Sequence, residues 1–265
     1  MFRSLFDIVE RQRDLREEDR IALLEQWKST GAKPEITSWW SKTIFLDPET
    51  GDDNNEGSPD FPVKTLEKAI QLIPVGGAGL IQVRKGKVVE VNKEIEVLHK
   101  LVNIVSADSI NADFPDYENN QNAPVIVFND GGILVNVGSQ ITFGHYYYGI
   151  VIIDQKTSSE PIVKETSIIH WGGEKLLGHV GFAHSRIILS KGLFQITDIR
   201  FRKTVINSPN YQFLDASDTL ILMLNEAIPK NPDDSTSNWN WKDVIKNIVK
   251  DSNGVPMNVI ANAVI

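Results

Sequence analysis

IFLDPETGDDNNEGSPDFPVKTLEKAIQLIP, residues 44–74, holds a strand, a turn-rich loop and a short amphipathic helix in one run. Ile44-Phe45-Leu46 is strand-like, and Asp47 to Asp60 is almost all Asp, Asn, Gly, Ser and Pro, the residues of tight turns. Thr65 fits the N-cap of a helix carrying Leu66, Ala69, Ile70 and Ile73 on one side, stopped by Pro74 and Gly76-Gly77. A helix this short cannot hold itself together in water, so its apolar side must lie on something large.

Downstream, the chain supplies that something. Short apolar runs follow one another at Leu80–Val83, Val88–Val91, Ile95–Val97, Leu101–Val105, Val125–Phe128, Ile133–Val137, Ile141–Phe143 and Ile150–Ile153. They continue at Ile168-Ile169, Ile187–Leu189, Leu193–Ile196, Val205-Ile206 and Leu220–Leu224. Runs of three to five β-branched residues between polar corners point to all-β architecture. A sandwich would use longer strands and hairpin turns such as Asn-Gly, and Asn253-Gly254 near the far end stands alone in that role. Coils stacked so that each adds short strands to parallel sheets fit better, although the runs keep no regular period.

The flanks differ. Residues 2–29 read as two short helices, with Phe2, Leu5, Phe6 and Val9 on one face and Ile21, Leu24 and Trp27 on another. Asp14 to Glu17 forms a capping box between them, and Ser29-Thr30-Gly31 with Pro34 ends the second. Gln12 and Arg16 break a heptad, so a long coiled coil is not expected. Trp39 and Trp40 mark the hinge into the body. At the far end, residues 231–240 read as a polar linker, Val244, Ile245, Ile248 and Val249 as the apolar face of a helix, and the last residues as a strand. The expected division is 1–42, 43–228 (its cap at 43–79) and 229–265.

Bulk properties narrow the function. The 265 residues are 41% apolar and 23% charged, which suits a folded chain rather than a disordered one. The net charge of −8 has no basic stripe to set against it, so nucleic acid is not an expected partner. With no cysteine, disulfides and thiolate chemistry are excluded. The charged N-terminus has no apolar signal core, no segment is long enough to span a bilayer, and synthesis in a cytoplasm is expected.

No residue is assigned a catalytic role. Asp130, Asp154, Glu174, Asp198 and Asp215 are dispersed acids, and nothing in the sequence places two of them at the separation that glycoside cleavage requires. Asp47, Asp52, Asp53, Asn54, Asn55 and Glu56 lack the spacing of a calcium loop and read as a turn. His99, His145, His170, His179 and His184 have no ligand spacing, and no metal or other cofactor is expected. Two aromatic pairs at strand spacing, Tyr146 with Tyr148 and Trp239 with Trp241, are candidate platforms for sugar rings.

The opening segment resembles the start of right-handed parallel β-helix proteins of the pectin-lyase-like class. The residues that carry the likeness are Asp47, Gly51, Asp52, Asn54, Gly57, Ser58, Lys64, Thr65, Leu66, Ala69 and Ile70, then Leu80-Ile81-Gln82-Val83; Phe61-Pro62 reverses the usual order. The resemblance implies a mainly β fold, a right-handed parallel β-helix capped by the short helix. The class includes pectate lyases, phage tail spikes and fibres, and bacterial surface proteins. The helical N-terminal segment without a secretion signal is similar to the virion-attachment heads of phage tail fibres. That likeness implies a homotrimeric virion protein bound to a tail or baseplate protein through Phe2, Leu5, Phe6, Val9, Trp39 or Trp40, and recognising host cell-surface polysaccharide. The alternative on the same fold is a polysaccharide depolymerase, a glycoside hydrolase or lyase.

Overall fold

A computed structural model describes residues 42–107, 123–136, 138–145, 149–165, 170–171, 174–175, 178–217 and 219–262. The chain divides into two units, residues 1–40 and 41–265, of which the second is described here.

Strand β1 (Lys42–Leu46) is followed by helix α1 (Leu66–Gln71). The Thr65 hydroxyl accepts the Lys68 N–H as N-cap, and Leu66, Ala69 and Ile70 are buried. The loop before α1 is held by its own acids. Asp47 accepts the N–H groups of Glu49 and Thr50, and Asp53 accepts those of Lys64 and Thr65. Those acids, read from the sequence as turn formers, are thus committed to turn hydrogen bonds.

Beyond the cap the strands come in successive tiers. The first holds β2 (Ala78–Val83), β3 (Val88–Val91) and β4 (Ile95–Val97); the second holds β5 (Leu101–Ser106), β6 (Val125–Phe128) and β7 (Ile133–Val135). The third holds β8 (Gln140–Phe143), β9 (Val151–Asp154) and β10 (Pro161–Glu165), and an antiparallel pair, β11 (His170–Trp171) and β12 (Glu174–Lys175), follows it. The fourth holds β13 (His179–Ala183), β14 (Arg186–Ile188) and β15 (Leu193–Gln195). Long strands β16 (Asp198–Asn207) and β18 (Leu220–Lys230) each fill two positions, accompanied by β17 (Leu214–Asp215) and β19 (Ile245–Lys246), and β20 (Val259–Ala261) follows.

Every pairing between tiers is parallel. A first ladder runs β1-β2-β5-β8-β13-β16-β18-β20, a second runs β3-β6-β9-β14 into the latter half of β16, and a third runs β4-β7-β10-β15-β17-β19. The first two join in one 12-stranded, strongly curled sheet, and the protein is mainly β.

Inward residues stack in columns. Ile81, Ile104, Phe143, Phe182, Phe201 and Leu224 form one, and Val89, Ile126, Ile152, Ile187 and Ile206 another. Phe143, Phe182 and Phe201 stack nearly parallel, with ring centroids 5.3 and 5.4 Å apart. Such stacking adds to the area that each ring removes from water.

The C-terminal residues depart from the sequence reading. The helix expected on Val244, Ile245, Ile248 and Val249 is not formed; a 3₁₀ turn at Trp241–Asp243 leads directly into β19. Val244 and Ile245 are buried as expected of apolar residues, but Ile245–Lys246 pairs with Leu214–Asp215, and Val249 is 55% exposed. A vacant ladder position outweighs local helix propensity here. Strands β19 and β20 thus add to the same sheets as the strands before them.

Candidate functional site

Alternation along the first ladder sends Ile141, Phe143, Val180, Phe182, Ile199 and Phe201 inward, so their neighbours line the outer face. Register then sets Gln140, His179 and Asp198 side by side, and in the next row Asn103, Thr142, Gly181 and Arg200. Ala183 lies beside Arg202 one position further.

Asp198 links the two rows. Arg200 donates to it twice, Nε to Oδ1 at 3.1 Å and Nη2 to Oδ2 at 2.8 Å, and His179 Nδ1 stands 3.2 Å from Oδ2. The histidine contact is close, but Nδ1 makes no well-aligned hydrogen bond. Burial would raise the Asp198 pKa, but His179 and Arg200 outweigh it and hold the carboxyl below its ordinary range. Asp198 in turn raises that of Arg200.

Thr142 and His179 close over Gly181, which is buried. A Cβ built there would lie 3.2 Å from Thr142 Oγ1 and 3.4 Å from His179 Nε2. Both polar atoms therefore pack against Gly181, where a side chain would be crowded, and Gln140 Nε2 donates to Thr142 Oγ1 at 3.2 Å. The nearby Asn103 Oδ1 is buried without a hydrogen-bond partner. Arg200 and Arg202, both exposed, lie on β16 beside Gly181 and Ala183.

The edge of this face is a stacked left-handed corner. His184, Lys203 and Glu226 have φ of 49°, 46° and 58° and succeed one another from tier to tier. The hydroxyls that follow hold the turn: Ser185 Oγ lies within hydrogen-bond reach of the Phe143 and Ala183 carbonyls, and Thr204 Oγ1 of those of Phe182 and Arg202. Gly144 tolerates no side chain, because a Cβ would sit 2.1 Å from the Ala183 oxygen. Lys203 Nζ stands 3.8 Å from Glu226. Burial, then the charges of Lys203, Arg202 and His145, push the His184 pKa down, while Glu226 opposes them.

Two more of the acids singled out from the sequence, Asp154 and Asp215, have structural partners. Asp154 Oδ2 accepts the N–H groups of Ser190, Lys191 and Gly192. Asp215 takes Ser217 and Asn247 and lies 3.3 Å from Lys246. Among the described residues, no group of three or more His, Asp or Glu side chains could hold a metal ion.

Of the candidate aromatic platforms, Trp239 is only 4% exposed and packs edge-on against Phe213 and Trp241. Trp241, half-buried, lies over Phe201 with centroids 6.0 Å apart. Both rings serve the core, since the chain re-enters the stack at β19 directly after them. Tyr146, Tyr148, Phe2, Leu5, Phe6, Val9, Trp39 and Trp40 lie outside the described residues. The His179–Asp198–Arg200 grouping escaped the sequence reading because only parallel register brings it together. Its one local trace is DIRFR, residues 198–202, with charges alternating against apolar residues. Among the described residues, no helix is long and apolar enough to cross a membrane.

Compared with known proteins, the chain matches no family model, no curated protein and no solved structure.

Proposed function

We propose that the protein is a virion tail component, a fibre or spike, whose body is a right-handed parallel β-helix that recognises host-surface polysaccharide. The ordered succession of first, second and third ladders through successive tiers supports the β-helix, and α1 over the first tier supplies its cap. The observation that carries the recognition role is the run of polar side chains that register sets together on one outward face, Thr142 and His179 around Gly181 with Arg200 beside it. Hydroxyl, imidazole and guanidinium groups on one outward face suit the hydroxyls of a sugar ring. In this reading residues 1–42 bind the tail and three copies associate.

Light scattering on the full chain and on a chain lacking residues 1–42, with retention on immobilised bacterial surface polysaccharide, tests this. A trimer that binds glycan, and loses tail-protein binding without residues 1–42, is the expected result. A monomer that binds no polysaccharide refutes it.

One observation favours cleavage as a second reading. The imidazole of His179 and the guanidinium of Arg200 share the carboxylate of Asp198, at 3.2 and 2.8 Å, so a group able to move a proton stands beside a cation. Release of reducing ends or unsaturated uronic products by the wild type, and not by His179→Ala, would establish it.

A further inference from the structure

Each ladder has a last strand, and the three ends differ. In the second ladder it is the latter half of β18, where Pro229 has no N–H to offer a further strand. In the third it is β19, two residues long, whose Ile245 carbonyl accepts Gln212 Nε2 at 3.5 Å. In the first it is β20, which carries neither proline nor charge, the usual protections of a sheet edge. At the opposite end of that ladder the edge of β1 is taken, since the Phe45 and Asp47 N–H groups donate to the Gly57 and Val63 carbonyls.

Strand β20 is bonded along one side. The Leu220 N–H donates to the Asn258 carbonyl at 2.8 Å and the Asn262 N–H to that of Leu222 at 3.4 Å, so the backbone of residues 258, 260 and 262 faces β18. That of Val259 and Ala261 faces away, and among the described residues no strand bonds to it. The edge is held in place: Asn258 Nδ2 donates to the Ala216 carbonyl at 2.6 Å, and Asn262 Oδ1 accepts the Leu224 N–H at 2.7 Å. Ile260 points outward and is 60% exposed, with Val255 and Met257 also exposed just before it. Residues 258–262, Asn-Val-Ile-Ala-Asn, contain no charge that would repel a copy of themselves.

We infer that β20 is an interface between two copies of this chain, paired antiparallel about a twofold axis through Ile260. Val259 then exchanges N–H···O bonds with Ala261 of the second copy, and Ala261 with its Val259, which satisfies every outward group of the two residues. Ile260 meets its own copy at the close, non-hydrogen-bonded spacing, with Cα atoms about 4.5 Å apart. The edge fits itself because its outward groups lie evenly on either side of Ile260. This goes beyond the tail-component reading and stands apart from it: pairing doubles the mass whether the unpaired particle holds one copy or three.

Because the chain has no cysteine, single cysteines report the pairing without background. Ile260→Cys should form an interchain disulfide under mild oxidation, since the spacing across the axis is one a disulfide can span. Met257→Cys, at a more exposed site but off the axis, should cross-link at least about tenfold more slowly. Amide exchange on the wild type is read at about 5 and 500 µM, a range that brackets a short, weak interface. Protection of Val259 and Ala261 should rise with concentration, while Ile260, bonded to β18, stays slow at both. Mass by sedimentation equilibrium should double over the same range, and Ile260→Lys should abolish the doubling and keep the urea midpoint.

Equal cross-linking at positions 257 and 260 overturns the twofold register. Val259 and Ala261 equally protected at both concentrations would mean that the same chain covers the edge, and unprotected at both that nothing does; either overturns the inference. A mass that still doubles in Ile260→Lys assigns the association to another surface and overturns it too.

Discussion

Removing the Asp154 carboxylate should release the connection between β14 and β15. Its Oδ2 accepts N–H bonds from Ser190 at 2.9 Å, Lys191 at 2.9 Å and Gly192 at 2.6 Å, while Oδ1 accepts the Lys156 N–H at 2.9 Å. The residue is 3% exposed, so water cannot readily take over. A buried donor left unsatisfied costs about 1–3 kcal/mol, and the four donors share one acceptor, so their losses do not simply add. Asp154→Ala should therefore lower stability by about 3–5 kcal/mol, in the range for a broken buried polar network. Asp154→Asn keeps the shape and one oxygen but sets an N–H₂ against a backbone donor, and should cost about 1–3 kcal/mol.

Urea melts read the global change, and amide hydrogen exchange reads the local one. Exchange at Ser190, Lys191 and Gly192 should accelerate most, followed by the segment near Tyr211, whose hydroxyl donates to the Gly192 carbonyl at 2.6 Å. Melts of both variants within about 0.5 kcal/mol of wild type, with exchange unchanged at those amides, would refute the idea that one carboxylate organises this turn.

Two further outcomes are expected. Phe182→Ala, at the centre of the Phe143–Phe182–Phe201 stack, should cost about 3–5 kcal/mol in urea unfolding, and Phe182→Leu distinctly less. For His184, the folded value lies below the ordinary 6.5, so as pH falls the unfolded chain takes up the proton first. Its stabilisation is complete above that value and shrinks as pH drops below it; His184→Asn, which tolerates the left-handed corner, should flatten the urea midpoint between about pH 7.5 and 5.5.

Helix α1 and the loop before it were legible residue by residue. Thr65, Leu66, Ala69 and Ile70 act over a single turn of helix, and Asp47 and Asp53 bond within a dozen residues, so local chemistry fixes them. Most of the short strands were legible too, because β-branched runs between polar corners leave few alternatives. His179–Ala183 and Asp198–Arg202 were harder, since each mixes charged or small outward residues with apolar inward ones.

The sequence by itself determined that the chain is mainly β, where helix α1 lies and which residues must be buried, because burial and turn chemistry are properties of short segments. Tertiary structure decided the register. Equivalent positions fall 39 residues apart from Gln140 to His179 but 19 from His179 to Asp198, since loops of unequal length leave the stack between tiers. No period survives that irregularity, and without register Asp198 cannot be placed beside His179, nor Gly181 beside Arg200. The same cause misled the reading of Val244 to Val249: an edge awaiting a strand is supplied by residues remote in sequence, and filling it outweighs the helical preference of the segment itself.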